Sequence, residues 1–271
     1  MPLITCGEFT IDYMDVGEGP PVILIPSSGS GNRQWRKLVG ELSDRYRMLS
    51  MNLFGYGETS AWPKKKRQTL EDQATLVIAI AEMLEEPVRL VGHSFGGSVA
   101  MKVALNLNER VKRLTLIEPN PFYLLNDHGR MEAYRDIKVL GEFVKKLGNV
   151  DEWTKVAAHF VDYWNSEGSW ESFSDQHRAN LTEMLKPTLY EWDAVLGCED
   201  DISEWQKFVG RMLVLKGADT RRAISEIVEL LKINLPDLEV LDIPNCGHML
   251  PVSHPKLVNP IIAEFLDRDI N

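Results

Sequence analysis

Residues 88–107 constrain this chain more than any other stretch. Val88-Arg89-Leu90-Val91 is a short run, apolar but for the arginine, of the kind a buried parallel strand makes. After Gly97 the period changes, and Val99, Ala100, Val103, Ala104 and Leu107 fall on one helical face. Between strand and helix lies Gly92-His93-Ser94-Phe95-Gly96, which puts a serine at the apex of a sharp turn. A bare Gly-x-Ser-x-Gly arises by chance in roughly one chain of this length in ten, so the flanking strand and helix give it its meaning. A serine hydroxyl is a weak nucleophile until a base takes its proton and a pair of donors receives the oxyanion. A strand-to-helix turn serves both needs. It lifts the Ser94 hydroxyl clear of the sheet and aims the free amides of the new helix at the reacting atom.

The rest of the chain repeats the strand-then-helix pattern. Strands are predicted over 9–16, 21–26, 46–53, 113–118, 212–215 and 238–243. Helices are marked by Trp35, Leu38, Val39 and Leu42, by Ala74, Val77, Ile78 and Ala81 behind a Thr69-x-x-Asp72 cap, and by the apolar faces at 224–231 and 257–266. From Phe122 to about Phe208 the periodicity is helical throughout, and five tryptophans (Trp153, Trp164, Trp170, Trp192, Trp205) fall there. This pattern predicts an α/β fold with a mostly parallel, doubly wound sheet. Its core would be residues 1–120 and 209–271, with an all-helical insertion over 121–208 between two strands of the sheet.

Charge and cysteine usage narrow the function. The chain of 271 residues carries a formal net charge of −10. An acidic chain without a basic stripe argues against nucleic acid and anionic membranes as partners. Lys64-Lys65-Lys66-Arg67 follows Trp62-Pro63 and reads as a solvated loop. Cys6, Cys198 and Cys246 are odd in number and widely spaced, which fits a reducing, cytoplasmic setting and neither a disulfide framework nor a metal site. The N-terminus lacks the basic and apolar regions of a signal peptide, and no apolar run approaches a membrane span. A small-molecule substrate, with no metal and no cofactor, is the expectation.

A serine nucleophile needs a histidine, and the histidine needs an orienting acid. Lys216-Gly217-Ala218-Asp219-Thr220 directly follows the 212–215 strand, and Pro244-Asn245-Cys246-Gly247-His248-Met249 directly follows the 238–243 strand. Asp219 and His248 are thus expected on the same sheet edge as Ser94. Glu118 also ends a strand and is the rival acid. His93 precedes the nucleophile and should pack locally; His128, His159 and His177 lie in the insertion, and His254 precedes a proline.

Leu90-Val91-Gly92-His93-Ser94-Phe95-Gly96-Gly97, Asn52-Leu53-Phe54-Gly55-Tyr56-Gly57, Gly217-Ala218-Asp219 and Gly247-His248 together resemble the α/β-hydrolase superfamily over nearly the whole chain. The resemblance implies that superfamily's fold, Ser–Asp–His hydrolysis, and a helical cap in the position of the insertion, as in small esterase-like members. It also implies an oxyanion hole made by the amides of Phe95 and of Ser28, with Ser27 as the alternative. Two positions depart from the pattern: Pro26-Ser27 stands where His-Gly is usual, and Asn52 where Asp is frequent. Serine in the nucleophile slot argues against the epoxide and carbon–halogen chemistry of members with an aspartate there. The expected activity is acyl-enzyme hydrolysis of a small-to-medium apolar carboxylic ester, with Ser27, Phe122 and Trp164 as substrate contacts. Carbon–carbon hydrolysis, perhydrolysis or lyase chemistry on the same residues, and a non-catalytic receptor, are the alternatives. A diketone-like acid would need a cation, for which Arg33, Arg130 and Arg178 are candidates.

Overall fold

The computed structural model describes residues 2–63, 66–198 and 200–268. Lys64 and Lys65 of the basic loop lie outside the described residues, while Lys66 and Arg67 are exposed. The strands are β1 (Leu3–Cys6), β2 (Phe9–Val16), β3 (Pro21–Ile25), β4 (Arg47–Met51), β5 (Val88–His93), β6 (Val111–Ile117), β7 (Arg211–Gly217) and β8 (Glu239–Ile243). They form one sheet in the order β1-β2-β4-β3-β5-β6-β7-β8. β1 and β2 pair antiparallel at one edge, and β2 meets β4 antiparallel; every pairing from β4 to β8 is parallel. β1 was not foreseen. It is four residues long, half exposed, and joined to β2 by Gly7 at φ 58, so its apolar signal is slight.

The parallel strands are buried on both faces, and their side chains alternate between two cores. Ile23, Ile25, Leu90, Leu114, Leu116 and Val214 enter one core; Val22, Leu24, Val91, Ile117, Leu213 and Leu215 enter the other. The helices outside the insertion are α1 (Arg36–Leu42), α2 (Leu70–Glu82), α3 (Phe95–Leu107), then α9 (Arg222–Asn234), α10 (Leu250–Ser253) and α11 (Pro255–Asp267). α2, α3 and α9 cover the first face; α1 and α11 cover the second. α2 starts where the cap pattern places it: the Thr69 hydroxyl accepts from the Asp72 amide while the Asp72 carboxylate accepts from the Thr69 amide. Between β6 and β7 lie α4 (Tyr123–Asp127), α5 (Met131–Gly148), α6 (Trp153–Trp164), α7 (Asp175–Met184) and α8 (Thr188–Leu196), with no strand among the described residues there. Trp153, Trp164, Trp192 and Trp205 join the first core, which ties the insertion to the sheet.

His93, at the end of β5, braces the edge where the loops gather. It is fully buried. Its Nε2 donates to the carbonyl oxygen of His248 at 2.9 Å, and its Nδ1 accepts from the Gln34 amide at 3.2 Å. Burial, with His248 nearby, pushes its pKa down to about 3 from 6.5, so the ring is neutral in the folded protein. Unfolding returns it to the ordinary value. The native state then binds fewer protons than the unfolded chain between about pH 6.5 and 3, and stability falls as pH drops through that window. His93→Gln should remove one proton's share of that slope, about 1.4 kcal/mol per pH unit, in urea denaturations at several pH values. An unchanged slope would mean that His93 is charged in the fold.

Candidate active site

Ser94 is the cap residue of α3, at φ 54 and ψ −117. A non-glycine backbone there is strained by about 1–3 kcal/mol and must be held by its surroundings. The Ser94 amide donates to the Ile117 carbonyl at 2.9 Å, and the Ser94 carbonyl accepts from Gly97 at 2.9 Å and Ser98 at 3.1 Å. The glycines on either side are there for space: a Cβ on Gly92 would stand 2.3 Å from the Gly96 carbonyl oxygen, and one on Gly96 would stand 2.4 Å from the carbonyl oxygens of Ile25 and Pro26. Strand, turn and helix can therefore close on the serine only with glycine at both positions.

His248 follows β8 and is buried. Its Nε2 lies 2.9 Å from Ser94 Oγ, and its Nδ1 lies 2.9 Å from Glu118 Oε2. A carboxylate only accepts, so Nδ1 carries the proton and Nε2 is left to accept from the serine hydroxyl. The acid against the histidine is Glu118, and the expectation of Asp219 is corrected. Glu118 ends β6 at φ 49 and is 0% exposed. Its Oε1 accepts the Gly217 amide at 2.7 Å, and its Oε2 also accepts the Thr220 hydroxyl. The turn that was to present Asp219 thus spends its donors on Glu118. Asp219 gives its backbone amide to the Cys246 carbonyl at 2.9 Å, while its side chain is exposed in a groove and makes no hydrogen bond or ion pair among the described residues.

The loop after β3 separates Ser27 from Ser28. The Ser27 amide donates to Gln34 Oε1 at 3.1 Å, and its hydroxyl lies 2.9 Å from the same oxygen. Ser27 is buried in that network and does not line the space above Ser94, contrary to its expected place among the substrate contacts. The Gly29 amide donates to the Tyr56 hydroxyl at 3.0 Å, and the Ser30 amide to the Ser27 carbonyl at 3.2 Å. Ser28 is the residue of this run whose amide has no partner among the described residues, and Phe95, at the start of α3, also has a free amide. Both residues line a cavity of about 20 Å³ at Ser94. Phe122 and Trp164 line it as well, with Asn120, Phe160, Trp192 and Val195.

Trp164 has two sides. Its ring centroid is 4.0 Å from that of His248, and it stacks on Phe122 at 6.5 Å. Beyond it lies an open groove of about 500 Å³ lined by His159, Tyr163, Asp219, Arg221 and His248. Arg33 lines a separate surface pocket, Arg130 lies 3.5 Å from Glu229, and Arg178 pairs with Glu171 and Asp175 at 3.0 and 2.6 Å. None of the three lines the cavity. Among the described residues no cluster of His, Cys, Asp or Glu could hold a metal ion, and no helix is long and apolar enough to cross a membrane.

Several polar residues around Ser94 were given no role in the sequence reading. Asn120 Nδ2 lies 3.5 Å from Ser94 Oγ, and the Ser98 hydroxyl fixes the amide by donating to Asn120 Oδ1 at 2.8 Å. Gln34 links His93 to Ser27. Tyr56 and Glu191 meet at 2.8 Å, and the Glu191 carboxyl also accepts the Ser28 hydroxyl. Burial pushes the Glu191 pKa up to about 7, against the pull of its bonds to Ser28 and Tyr56. Glu191 shares the buried face of its helix with Thr188, Trp192 and Val195, and a carboxyl at that helical spacing was the available signal; nothing local marks Gln34.

Known proteins share this architecture. The chain is 33% identical over 119 residues to a 2-hydroxy-6-oxo-2,4-heptadienoate hydrolase of Pseudomonas putida, covering 42% of this chain and 43% of that one. It is 26% identical over 262 residues to a pimeloyl-[acyl-carrier protein] methyl ester esterase of Aeromonas hydrophila, covering 92% and 96% of the two chains. The solved structure of MGS-M2, an alpha/beta hydrolase enzyme from a Medee basin deep-sea metagenome library, superposes with a TM-score of 0.82 over 98% of both chains at 16% identity. The profile of the alpha/beta hydrolase family matches residues 22–261, and the chain belongs to that family.

Proposed function

We propose that this hydrolase cleaves small apolar carboxylic esters through an acyl-enzyme on Ser94. The observation that carries this reading is the continuous relay Ser94 Oγ, His248 Nε2, His248 Nδ1, Glu118 Oε2, with 2.9 Å at each of its two contacts. His248 takes the serine proton as Oγ attacks the carbonyl carbon. The Glu118 carboxylate keeps Nδ1 protonated and stabilises the imidazolium that forms. The amides of Ser28 and Phe95 receive the oxyanion, each worth about 3 kcal/mol in the transition state. His248 then protonates the leaving alcohol and afterwards deprotonates the water that releases the acid. The helical insertion acts as a cap, its Phe160, Trp164, Trp192 and Val195 walling the acyl side of the serine.

Hydrolysis of a hydroxy-oxo-dienoate, as in the Pseudomonas putida relative, is the reading that stands second. Such an acid brings a carboxylate to the site. The cavity at Ser94 is lined by aromatic and small polar residues and Val195, with no Lys or Arg among them, which favours a neutral acyl group.

The assignment of the acid is tested by two substitutions measured side by side. Glu118→Gln should lower kcat on p-nitrophenyl acetate by up to about ten-thousand-fold, because an amide no longer fixes the tautomer or balances the imidazolium. Asp219→Asn should leave kcat near wild type. The reverse pattern would return the role to Asp219. The cavity at Ser94 is small, about 20 Å³. In a p-nitrophenyl ester series, kcat/KM should therefore be highest for acetate and fall towards hexanoate, and Trp164→Ala should move the optimum to longer chains. A wild-type preference for hexanoate would place the acyl group elsewhere.

A further inference from the structure

The mechanism leaves the buried carboxyl of Glu191 unused. Glu191 belongs to α8 of the helical insertion, yet its polar contacts are with the body of the protein. It is 3% exposed. One oxygen accepts the Ser28 hydroxyl, and the other accepts the Tyr56 hydroxyl at 2.8 Å. The Tyr56 oxygen in turn accepts the Gly29 amide at 3.0 Å. Glu191 thus holds two consecutive residues of the loop after β3, one through its side chain and one through its backbone. The other amides of residues 27–30 are consumed, by Gln34, by Tyr56 and by the Ser27 carbonyl, which leaves the Ser28 amide without a partner among the described residues, on a residue that lines the cavity with Ser94. The contact between insertion and loop is also steric. A Cβ on Gly29, which sits at φ +67, would stand 2.7 Å from Leu185 Cδ2, and one on Gly55 would stand 2.9 Å from Pro187 Cγ. The turn before α8 therefore rests directly on both loops that Glu191 bridges.

We propose that Glu191 is a positioning residue for the oxyanion hole, holding the Ser28 amide in place through the Ser28 and Tyr56 hydroxyls. The hole is complete only when the helical insertion is seated on the sheet. This rests on the acyl-enzyme reading above. A carboxylate suits the task because two hydroxyls approach from different sides and both must donate, which an amide cannot accept equally. An oxyanion donor acts by geometry, and a displacement of the amide by a fraction of an ångström weakens it without touching the nucleophile or the base.

The test compares Ser28→Ala, Tyr56→Phe, Glu191→Ala and Glu191→Gln with wild type, each normalised to active sites titrated with a fluorophosphonate. Ser28→Ala keeps the backbone amide and removes only the tether. Ser28→Ala and Glu191→Ala should each lower kcat on p-nitrophenyl acetate about tenfold or more with KM little changed, as expected for a contact made in the transition state. The inhibition constant of an aryl trifluoromethyl ketone, whose hemiketal places an oxyanion in the hole, should rise by the same factor. The double variant should be no worse than Glu191→Ala alone, because the two residues act as one unit. Glu191→Gln, which keeps one acceptor oxygen, should recover part of the loss. Unchanged kcat and unchanged ketone affinity per titrated site in Ser28→Ala and Glu191→Ala would overturn the proposal. So would losses that simply add in the double variant. Absence of fluorophosphonate on wild-type Ser94 would overturn the acyl-enzyme reading together with this one, whereas a labelled wild type with unaffected variants removes this one alone.

Discussion

A carboxylate with no exposure to water sits at the end of the sixth strand, and the site is built around keeping it there. Burying an unpaired carboxylate is prohibitive, so Glu118 can remain only where donors converge on it. Three do: the Gly217 amide, the Thr220 hydroxyl and His248 Nδ1. Two of these come from the last residue of β7 and the turn after it, and one from the loop after β8. The parallel order β5-β6-β7-β8 is what brings these loops to one edge beside Ser94. The same carboxylate therefore joins the two following loops to the sheet and sets the tautomer of the histidine. Chemistry and loop packing share one group.

Ser94 and His248 could be read from sequence because each is declared locally. A strand, a glycine-flanked turn and a helix announce the serine, and a strand followed by Gly247-His248 announces the histidine that meets it. The acid had two candidates, Glu118 and Asp219, each at the end of a strand. What separates them is the left-handed backbone of Glu118 and the direction of the Gly217 and Thr220 donors, and neither leaves a mark in the local pattern. Distance in sequence also hid the braces. Gln34 contacts His93 across 59 positions and Glu191 contacts Ser28 across 163, so no window of the chain contains both partners. The helical texture of the insertion was plain, whereas the exposed hairpin strand β1 was not, since four half-exposed residues carry almost no periodic signal.

The insertion reaches the site in two ways. Trp164 lies on His248 and divides the small cavity at Ser94 from the open groove. Glu191 grips the loop that carries the free Ser28 amide. Aromatic packing thus encloses the nucleophile while a buried carboxyl shapes the loop beside it. Exclusion of water strengthens the Ser94–His248–Glu118 hydrogen bonds and, on the proposed acyl-enzyme route, the oxyanion contacts as well, because each acts in a medium less polar than water. A segment that lies between β6 and β7 in the chain thus contributes an aromatic wall of the site and a brace behind the loop beside it.

The relay itself can be observed directly in the imidazole proton on His248 Nδ1, by proton NMR of the resting protein. A histidine proton shared with a buried carboxylate is shielded from exchange and resonates downfield of the amide region. The structure predicts such a resonance in wild type, its persistence in Asp219→Asn, and its loss or a large upfield shift in Glu118→Gln. A resonance that survives in Glu118→Gln and disappears in Asp219→Asn would contradict the assignment of Glu118 as the partner of His248.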